Sequence, residues 1–376
     1  MKLNNKNKTY SFVSLFERFI AESKTGKRLQ SNGKKISTGT IRNYIYCLKL
    51  VERFCREKTF VLNIRDERRL NCRQTQRERN YWKRFYKKFT DYLYNELGFF
   101  DNYVGSNIKT LKAFFNYLNS ETPIKFGNFH NCFHVRKEEI PVIALLPEEL
   151  NFLIYDSTFQ ESLPKRLQEV KDVFVFGCTV ALRVSDLLAL KSTSLRKINQ
   201  IYYLTVRSQK TGAVTVIKLP EYCISIIRKY NNRSRKLLPG FNPSNLNQGI
   251  KRLLGKAGFT QLMEVQRERR GKMITLQSHV PHQARRFCDL ASTHTMRKTA
   301  ITTMLCLGMP ETLVRKISGH AAGSKEFYRY VNWAQSYMDQ EIDTIYEKAS
   351  WLRFFSNQYS FPVPSAAPPN HTVGIF

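Results

Sequence analysis

The chain has 376 residues, of which 61 are Lys or Arg and 30 are Asp or Glu, so its formal net charge at neutral pH is +31. Positive charge recurs along most of the chain, which favours a polyanion, above all nucleic acid, as the partner. Hydrophobic residues make up 42% and aromatic residues 13% of the sequence, which favours folded domains over a basic extension. A chain of this length predicts two domains, each burying its own core.

The eight cysteines are scattered and form no CxxC pair, which predicts a reduced, intracellular protein. The apolar run near the N-terminus is interrupted by Glu17 and Arg18. No uncharged apolar stretch approaches the length of a membrane span. We therefore expect a cytoplasmic protein without a membrane partner.

Residues 10–121 have the periodicity of a basic helical bundle. In "YSFVSLFERFIAESK" four apolar residues share one helical face, namely Phe12, Leu15, Phe16 and Phe19. A second helix is expected after Ser37 and Thr38, which are candidate N-caps. Two further stretches, "RNYWKRFYKKFTDYLYNEL" and "SNIKTLKAFFNYLNSE", alternate aromatic residues with Lys and Arg. The pattern predicts an all-α bundle that binds DNA.

Gly127, Pro141 and Pro147 interrupt this periodicity, so we place a linker at 122–144 and a second domain at 145–350. The second domain is predicted to be mixed α+β and mainly helical with a small β-sheet. Its strands are expected at Ile201–Val206 and Val214–Leu219, joined by the hairpin turn "SQKTGA". Residues 1–9 are expected to be an extension and residues 351–376, rich in proline, a mobile tail.

The second domain carries four short motifs in a fixed order: "GCTVALRVSDLLAL" with Arg183, "SQKTG" with Lys210, "HTMRKT" with His294 and Arg297, and "LVRKISGH" with His320. The tyrosines of "FYRYVN" follow them. In this order the motifs resemble the boxes of the tyrosine site-specific recombinases, the phage integrase and Xer-like family. The resemblance covers residues 145–332, and the helical N-terminal unit resembles the core-binding, SAM-like domain of that family.

Residues that the resemblance places in the active site also suit metal-free cleavage of a phosphodiester. Such cleavage requires neutralisation of charge on the non-bridging oxygens, and the planar donor groups of Arg183 and Arg297 fit that task. Asp186 lies three residues after Arg183 and is predicted to hold its guanidinium in place. Lys298 follows Arg297 where many family members carry a histidine.

Proton transfer requires further groups. The family assigns protonation of the departing 5′ oxygen to the hairpin lysine, here Lys210, although Arg207 is close in sequence. A tyrosine nucleophile requires a neighbouring acceptor such as His294 or His320. No acidic cluster for Mg²⁺ and no Gly-rich phosphate loop is visible in the sequence, so we predict no metal and no cofactor.

The nucleophile is Tyr330 or Tyr328. The commonest family spacing places it nine residues after His320, which here falls on Arg329, so one residue has been gained or lost. Phe327 and Tyr330 share one helical face, so an anchored Phe327 aims Tyr330 inward and Tyr328 elsewhere. We therefore predict Tyr330 as the nucleophile, with Tyr328 as the alternative.

The resemblance implies a recombinase or integrase that cuts and rejoins duplex DNA through a 3′-phosphotyrosyl intermediate and a Holliday junction, without metal or ATP. It further implies inverted-repeat core sites, a homo-tetramer on paired sites, a possible accessory DNA-bending protein, and a bacterial or phage-borne mobile element. Two alternatives stay open: a type IB topoisomerase-like enzyme and a catalytically silent DNA-binding protein.

The segment from Trp333 to Trp351 is expected, by the same resemblance, to dock on a neighbouring subunit. Its apolar face, which includes Met338, Ile342, Ile345 and Tyr346, could equally pack on its own domain. With about ten residues before the first helix, we expect no separate arm-binding domain.

Overall fold

The computed structural model describes residues 9–230, 236–275 and 285–356, with side-chain surroundings as far as residue 348. Its helices are α1 (Phe12–Thr25), α2 (Thr38–Glu57), α3 (Cys72–Asp91), α4 (Asp101–Glu121), α5 (Pro147–Tyr155), α6 (Ser157–Ser162), α7 (Lys165–Val180), α8 (Val184–Leu187), α9 (Glu221–Tyr230), α10 (Pro243–Lys256), α11 (Phe287–Leu290), α12 (Thr293–Cys306), α13 (Glu311–Ser318) and α14 (Lys325–Ser356). Its strands are β1 (Thr9–Ser11), β2 (Asn63–Arg65), β3 (Leu195–Ile198), β4 (Ile201–Arg207), β5 (Val214–Lys218), β6 (Leu262–Met263), β7 (Gln266–Arg269), β8 (Lys272–Thr275) and β9 (Arg285–Arg286). The described residues form two compact units, the first at 9–140 and 264–275, the second at 141–263 and 285–356.

The first unit contains α1 to α4, packed around an aromatic core. Ten phenylalanine and tryptophan side chains have no exposed surface in it: Phe12, Phe16, Phe19, Phe54, Trp82, Phe85, Phe89, Phe114, Phe115 and Phe126. Many of the rings meet edge to face, the geometry that the aromatic quadrupole favours. Ser37 is the N-cap of α2, and its Oγ accepts a hydrogen bond from Thr40 N at 3.1 Å, so of the two candidate caps Ser37 is the one used.

Helix α3 keeps its positive charge on the surface. Seven of its residues are exposed cations: Arg73, Arg77, Arg79, Lys83, Arg84, Lys87 and Lys88. Both of its acids have partners, because the buried Glu78 accepts a hydrogen bond from Trp82 Nε1 at 2.9 Å and Asp91 pairs with Arg270. A surface cavity of about 710 Å³ beside α3 includes among its lining residues Lys58, Arg65, Arg77, Arg84 and Lys88.

Strands β7 and β8 form an antiparallel hairpin that lies between α10 and α11 in sequence but belongs to the first unit. The side chain of Glu138 has no exposed surface and receives two hydrogen bonds from the Arg267 guanidinium, at 2.8 and 2.6 Å. Burial alone would raise the pKa of Glu138, but Arg267 and backbone amides lower it below the ordinary value. This buried pair fixes the first strand of the hairpin.

A second buried carboxylate fixes the turn of the same hairpin. Asp101 is only 1% exposed, and its oxygens accept hydrogen bonds from Arg270 N and Gly271 N, each at 2.8 Å. Arg269 also donates to Gly98 O at 2.9 Å. Our sequence-based assignment of all of 145–350 to one catalytic domain did not separate this segment, because its partners lie more than a hundred residues away in the chain.

The second unit is built around α7, whose residues Val173, Phe174, Val175 and Phe176 are all buried, so that the helix is covered on every side. Helices α5, α9, α10 and α12 pack against it. Strands β4 and β5 pair antiparallel, with Leu204 opposite Ile217, which confirms the predicted hairpin. Strand β3 pairs with the outer edge of β4 through a turn at Asn199 and Gln200, both with positive φ.

Helix α14 begins beside a separate apolar cluster and then leaves it. Its Phe327 is completely buried against residues of α12 and α13. All residues from 339 to 348 are exposed, including the apolar side chains of Ile342, Ile345 and Tyr346. The helix continues to Ser356, past residue 350, where we expected the catalytic domain to end.

Residues 1–8 and 357–376, which hold most of the expected N-terminal extension and C-terminal tail, lie outside the described residues. Within the described ranges, no helix has both the length and the apolar character needed to cross a bilayer.

Candidate active site

Arg297 is the buried centre of the candidate site. It lies on α12 and is 8% exposed, and its guanidinium donates to Ala181 O at 2.7 Å and to Ser318 O at 2.6 Å. Ala181 and Gly319 have left-handed backbone at the ends of α7 and α13, so two helix C-termini offer carbonyls to one guanidinium. Burial and the nearby charge of Arg183 lower the pKa of Arg297 to about 10, which leaves it cationic at neutral pH.

Arg183 lies immediately before α8 and reaches the base of the β4–β5 hairpin. Its Nη1 donates to Ser208 Oγ at 3.3 Å. The charge of Arg183 also contributes to the lowered pKa values of Arg297 and His320, as expected for groups that share one site. The structure therefore brings together the two arginines that the sequence motifs singled out.

Asp186 supports the hairpin and not the arginine that we expected it to hold. It is buried, and its Oδ1 accepts a hydrogen bond from Gln209 N at 3.0 Å. Arg183 is the N-cap of α8 and has extended backbone, and its guanidinium bonds to Ser208 Oγ on the hairpin. The carboxylate thus anchors the turn that carries Lys210.

The hairpin lysine and the first histidine lie at the open side of the site. Lys210 is exposed in the turn between β4 and β5. His294 lies in the first turn of α12, and its backbone N donates to Ser292 Oγ at 3.2 Å. Burial lowers the pKa of His294, and Lys298, Arg297, Arg183 and Lys210 all act in the same direction. His294 is therefore neutral at pH 7.

His320 follows α13 and lies beside Arg297. Its Nε2 is 3.4 Å from Arg297 Nη2, and its Nδ1 is 2.8 Å from Ser318 Oγ. Burial, Arg297, Arg183 and Arg315 lower the pKa of His320 to about 4. Both histidines are thus uncharged near neutral pH and able to accept a proton, while the arginines carry the positive charge.

Tyr330 and Tyr328 face different surroundings. The ring centroid of Tyr330 lies 5.9 Å from that of His320 and 6.3 Å from that of the buried Phe327. Burial raises the pKa of Tyr330, and Arg297 opposes that shift. Tyr328 is 50% exposed, with the Arg315 guanidinium 4.9 Å from its ring centroid. Tyr330 is thus the tyrosine that lies beside Arg297 and His320.

Three contacts in the site were not predicted by any sequence motif. Ser208 and Ser318 bond to Arg183 and His320, and the carbonyl of Ala181 bonds to Arg297. A serine two residues before a candidate histidine at a helix end is the one signal that could have been used. Backbone carbonyls leave no trace in the sequence, since every residue has one.

No cluster of three or more His, Cys, Asp or Glu side chains arranged to hold a metal ion occurs in the described parts of the chain. His130, Cys132 and His134 are close in sequence and of types that can bind metal, but the first of them has a packing role. His130 is buried, its Nε2 bonds to Asn116 Oδ1 at 2.8 Å, and its ring lies 5.7 Å from that of Phe115.

Comparison of the sequence with protein-family models finds no match, and comparison with curated proteins also finds none. Solved structures do match. The XerH site-specific recombinase bound to palindromic difH substrate, in a post-cleavage complex, is 11% identical, with a TM-score of 0.54 over 89% of this chain and 96% of the other.

Two further matches have different DNA ligands. A lambda integrase tetramer bound to a Holliday junction is 13% identical, with a TM-score of 0.55 over 86% of this chain and 78% of the other. The Tn1549 transposon integrase in complex with transposon right-end DNA is 14% identical, with a TM-score of 0.51 over 88% of this chain and 99% of the other. The chain therefore has the fold of the tyrosine recombinases.

Proposed function

We propose that this protein is a site-specific DNA recombinase that cleaves and rejoins duplex DNA through a tyrosine linked to a 3′ phosphate. One observation carries the proposal: Arg183, Arg297, His320 and a half-buried Tyr330 converge where α8, α12, α13 and α14 meet. A buried arginine that faces a tyrosine has little value for packing, but it suits a site that must accept a phosphate.

In the proposed reaction the two arginines bind the non-bridging oxygens of the scissile phosphate and stabilise the charge that grows there. Tyr330 Oη forms a bond to phosphorus as the bond from phosphorus to O5′ breaks, and a neutral histidine accepts the tyrosine proton. Lys210 supplies a proton to O5′. Attack by a 5′ hydroxyl reverses these transfers and reseals the strand, so the energy of the phosphodiester is conserved and ATP is not needed.

The substrate that we propose is duplex DNA with inverted-repeat core sites, processed by a tetramer through a Holliday junction. The net charge of +31 and the exposed cations of α3 support a DNA partner. The fold is shared with proteins solved on a palindromic substrate, on a Holliday junction and on a transposon end. The exposed apolar residues of α14 support docking on a neighbouring subunit over packing on the same chain.

The proposal is tested with nicked suicide duplexes built on inverted repeats in the DNA that flanks the coding region. The wild-type protein should form a covalent adduct in EDTA and without ATP, detected as a slow band in a denaturing gel. Arg297→Ala should lower adduct formation by about 10²–10³-fold, because a phosphate-binding donor is removed, while DNA binding persists.

An absolute requirement for Mg²⁺ in cleavage would reject this mechanism. Failure to form any adduct on any duplex would favour the catalytically silent DNA-binding alternative. The topoisomerase alternative is tested on a supercoiled plasmid that lacks the repeats, because only a type IB-like enzyme should relax it efficiently.

A further inference from the structure

The hydroxyl of Ser318 lies between the end of α13 and the ring of His320. Its Oγ is 2.7 Å from Val314 O and 2.8 Å from His320 Nδ1. A hydroxyl has one proton to donate, and a carbonyl oxygen can only accept. If the hydroxyl proton pointed at Nδ1, the oxygens of Ser318 Oγ and Val314 O would face each other with no hydrogen between them. The hydroxyl therefore donates to Val314 O. Ser318 Oγ then accepts, and Nδ1 of His320 must carry a hydrogen.

The other side of the ring leads independently to the same tautomer. Arg297 Nη2 lies 3.4 Å from His320 Nε2, and a guanidinium can only donate. Nε2 must therefore present its lone pair. Burial keeps the ring uncharged near neutral pH, with a pKa of about 4. A neutral imidazole has a hydrogen on only one of its two nitrogens, so a bare Nε2 means that Nδ1 carries it.

We propose that Ser318 is a positioning residue that holds His320 in the Nδ1–H tautomer, with the Nε2 lone pair on the side of Arg297 and Tyr330. The effect of this tautomer on catalysis rests on the proposed function. In this tautomer Nε2 accepts the proton of Tyr330 as Oη bonds to phosphorus, and the imidazolium so formed has an Nε2–H that can donate to the phosphate. Ser318 also binds Arg297 through its backbone carbonyl at 2.6 Å, so one residue orders two members of the site.

The tautomer is read directly by nitrogen NMR on the full-length protein labelled with ¹⁵N-histidine. The His320 signals are identified by their loss in His320→Gln. We expect a protonated Nδ1 and a bare Nε2 in the wild type and in Ser318→Thr, which keeps the hydroxyl. Ser318→Ala should raise the population of the Nε2–H form, because only the longer contact of 3.4 Å with Arg297 Nη2 then opposes it. Ser208→Ala is the matched control, because its hydroxyl bonds to Arg183 and not to the ring, and it should leave the tautomer unchanged.

A bare Nδ1 in the wild type, or a Ser318→Ala spectrum equal to that of the wild type, would overturn the proposal. This measurement involves no DNA, so it is decided separately from the recombinase assignment. If the wild type forms no adduct on any duplex, the proposed function fails while the NMR result stands by itself.

Adduct formation provides the functional measurement. Ser318→Ala should slow covalent adduct formation by about tenfold or more at unchanged DNA affinity, and Ser318→Thr should restore most of the rate. If Ser318 had only a structural role, Ser318→Ala should lower the melting temperature but leave the rate of adduct formation per folded molecule unchanged. That pattern would count against the proposal.

Discussion

Tyr328 and Tyr330 lie two positions apart on one helix, about 200° around its axis, and so their rings meet opposite surroundings. Phe327 decides which of them turns inward, because its completely buried ring fixes the rotation of α14 at its first turn. Tyr330 follows Phe327 by three residues and lies near the same face, whereas Tyr328 contacts Arg315 outside. The assignment of the nucleophile is therefore an argument about helical phase.

Replacing either tyrosine by phenylalanine tests this phase argument. With a nicked suicide duplex, Tyr330→Phe should yield no covalent adduct, because the attacking oxygen is gone, and Tyr328→Phe should yield an adduct at nearly the wild-type rate. Denaturing electrophoresis measures both variants. The reverse pattern would assign the nucleophile to Tyr328.

The lowered pKa of His320 predicts a dependence of stability on pH. Its pKa is about 4 in the folded protein against an ordinary 6.5, so between these values the unfolded chain binds more protons than the folded one. Stability should therefore fall as the pH drops through this window. We expect the melting temperature of the wild type to fall more between about pH 7 and pH 4.5 than that of His320→Gln, as measured by calorimetry. Parallel curves for the two proteins would contradict a neutral buried ring.

Helix α3 carries seven exposed Lys and Arg side chains. Arg77, Arg84 and Lys88 line the basic cavity of the first unit together with one acid, the buried Glu78, which accepts a hydrogen bond from Trp82 Nε1. Such a surface suits the phosphate backbone of DNA, since it offers charge without a rigid pattern for reading bases.

Replacement of Arg77, Arg84 and Lys88 by serine should weaken DNA binding equally for specific and unrelated duplexes. The slope of log affinity against log salt should become less steep by up to about 0.9 for each phosphate that the variant no longer neutralises. Fluorescence anisotropy over a salt series measures this slope. Serine replacement of Lys24, Lys27 and Lys34 provides a control of equal charge at exposed positions away from the cavity. Equal effects of both triple variants would show that only net charge matters.

The β7–β8 hairpin depends on a buried ion pair whose removal should be costly. Arg267→Ala leaves the Glu138 carboxylate buried without its guanidinium, so we expect the free energy of unfolding to fall by about 2–4 kcal/mol. Urea denaturation measures this change. Arg228→Ala removes an exposed partner of the exposed Glu221 and should change stability by about 0.5 kcal/mol or less. An Arg267→Ala effect as small as that of the control would mean that the hairpin is not held by this pair.

Long helices and the β4–β5 hairpin could be predicted from the sequence because their signals are local: apolar spacing, caps and a glycine turn. Strands β3 and β7–β8 could not. Their turns, Asn199–Gln200 and Arg270–Gly271, lack the usual Asn-Gly or Asp-Gly signature, and β7 consists of the polar run "QRER". The arginines and histidines of the site were found through ordered motifs. Asp186 was expected to hold Arg183, but its Oδ1 accepts a hydrogen bond from Gln209 N, a contact with a distant strand end that local sequence does not reveal.

The far half of α14 exposes apolar side chains, and this bears on how the whole molecule assembles. Removal of residues 339–376 should leave the chain able to bind one core site and to form an adduct there, because the site residues precede that point. Assembly of paired sites should be abolished, since the exposed Ile342, Ile345 and Tyr346 would no longer be present to dock. Light scattering of the protein–DNA complex measures its mass. A tetrameric complex of the shortened chain would contradict docking through α14.

The β7–β8 hairpin also determines whether the two pieces of the chain separate after cleavage of the linker. The chain leaves the first unit after Ile140, returns to it after Met263, and is in the second unit again at Arg285. A protease that cuts between residues 139 and 144 would therefore produce two polypeptides that stay associated. The carboxyl-terminal piece carries the hairpin, whose turn binds Asp101 and whose strand β7 binds Glu138 of the amino-terminal piece. Nicked protein should elute as one species in native buffer and as two in denaturant. An amino-terminal fragment produced alone would lack the donors that the hairpin supplies to both buried carboxylates.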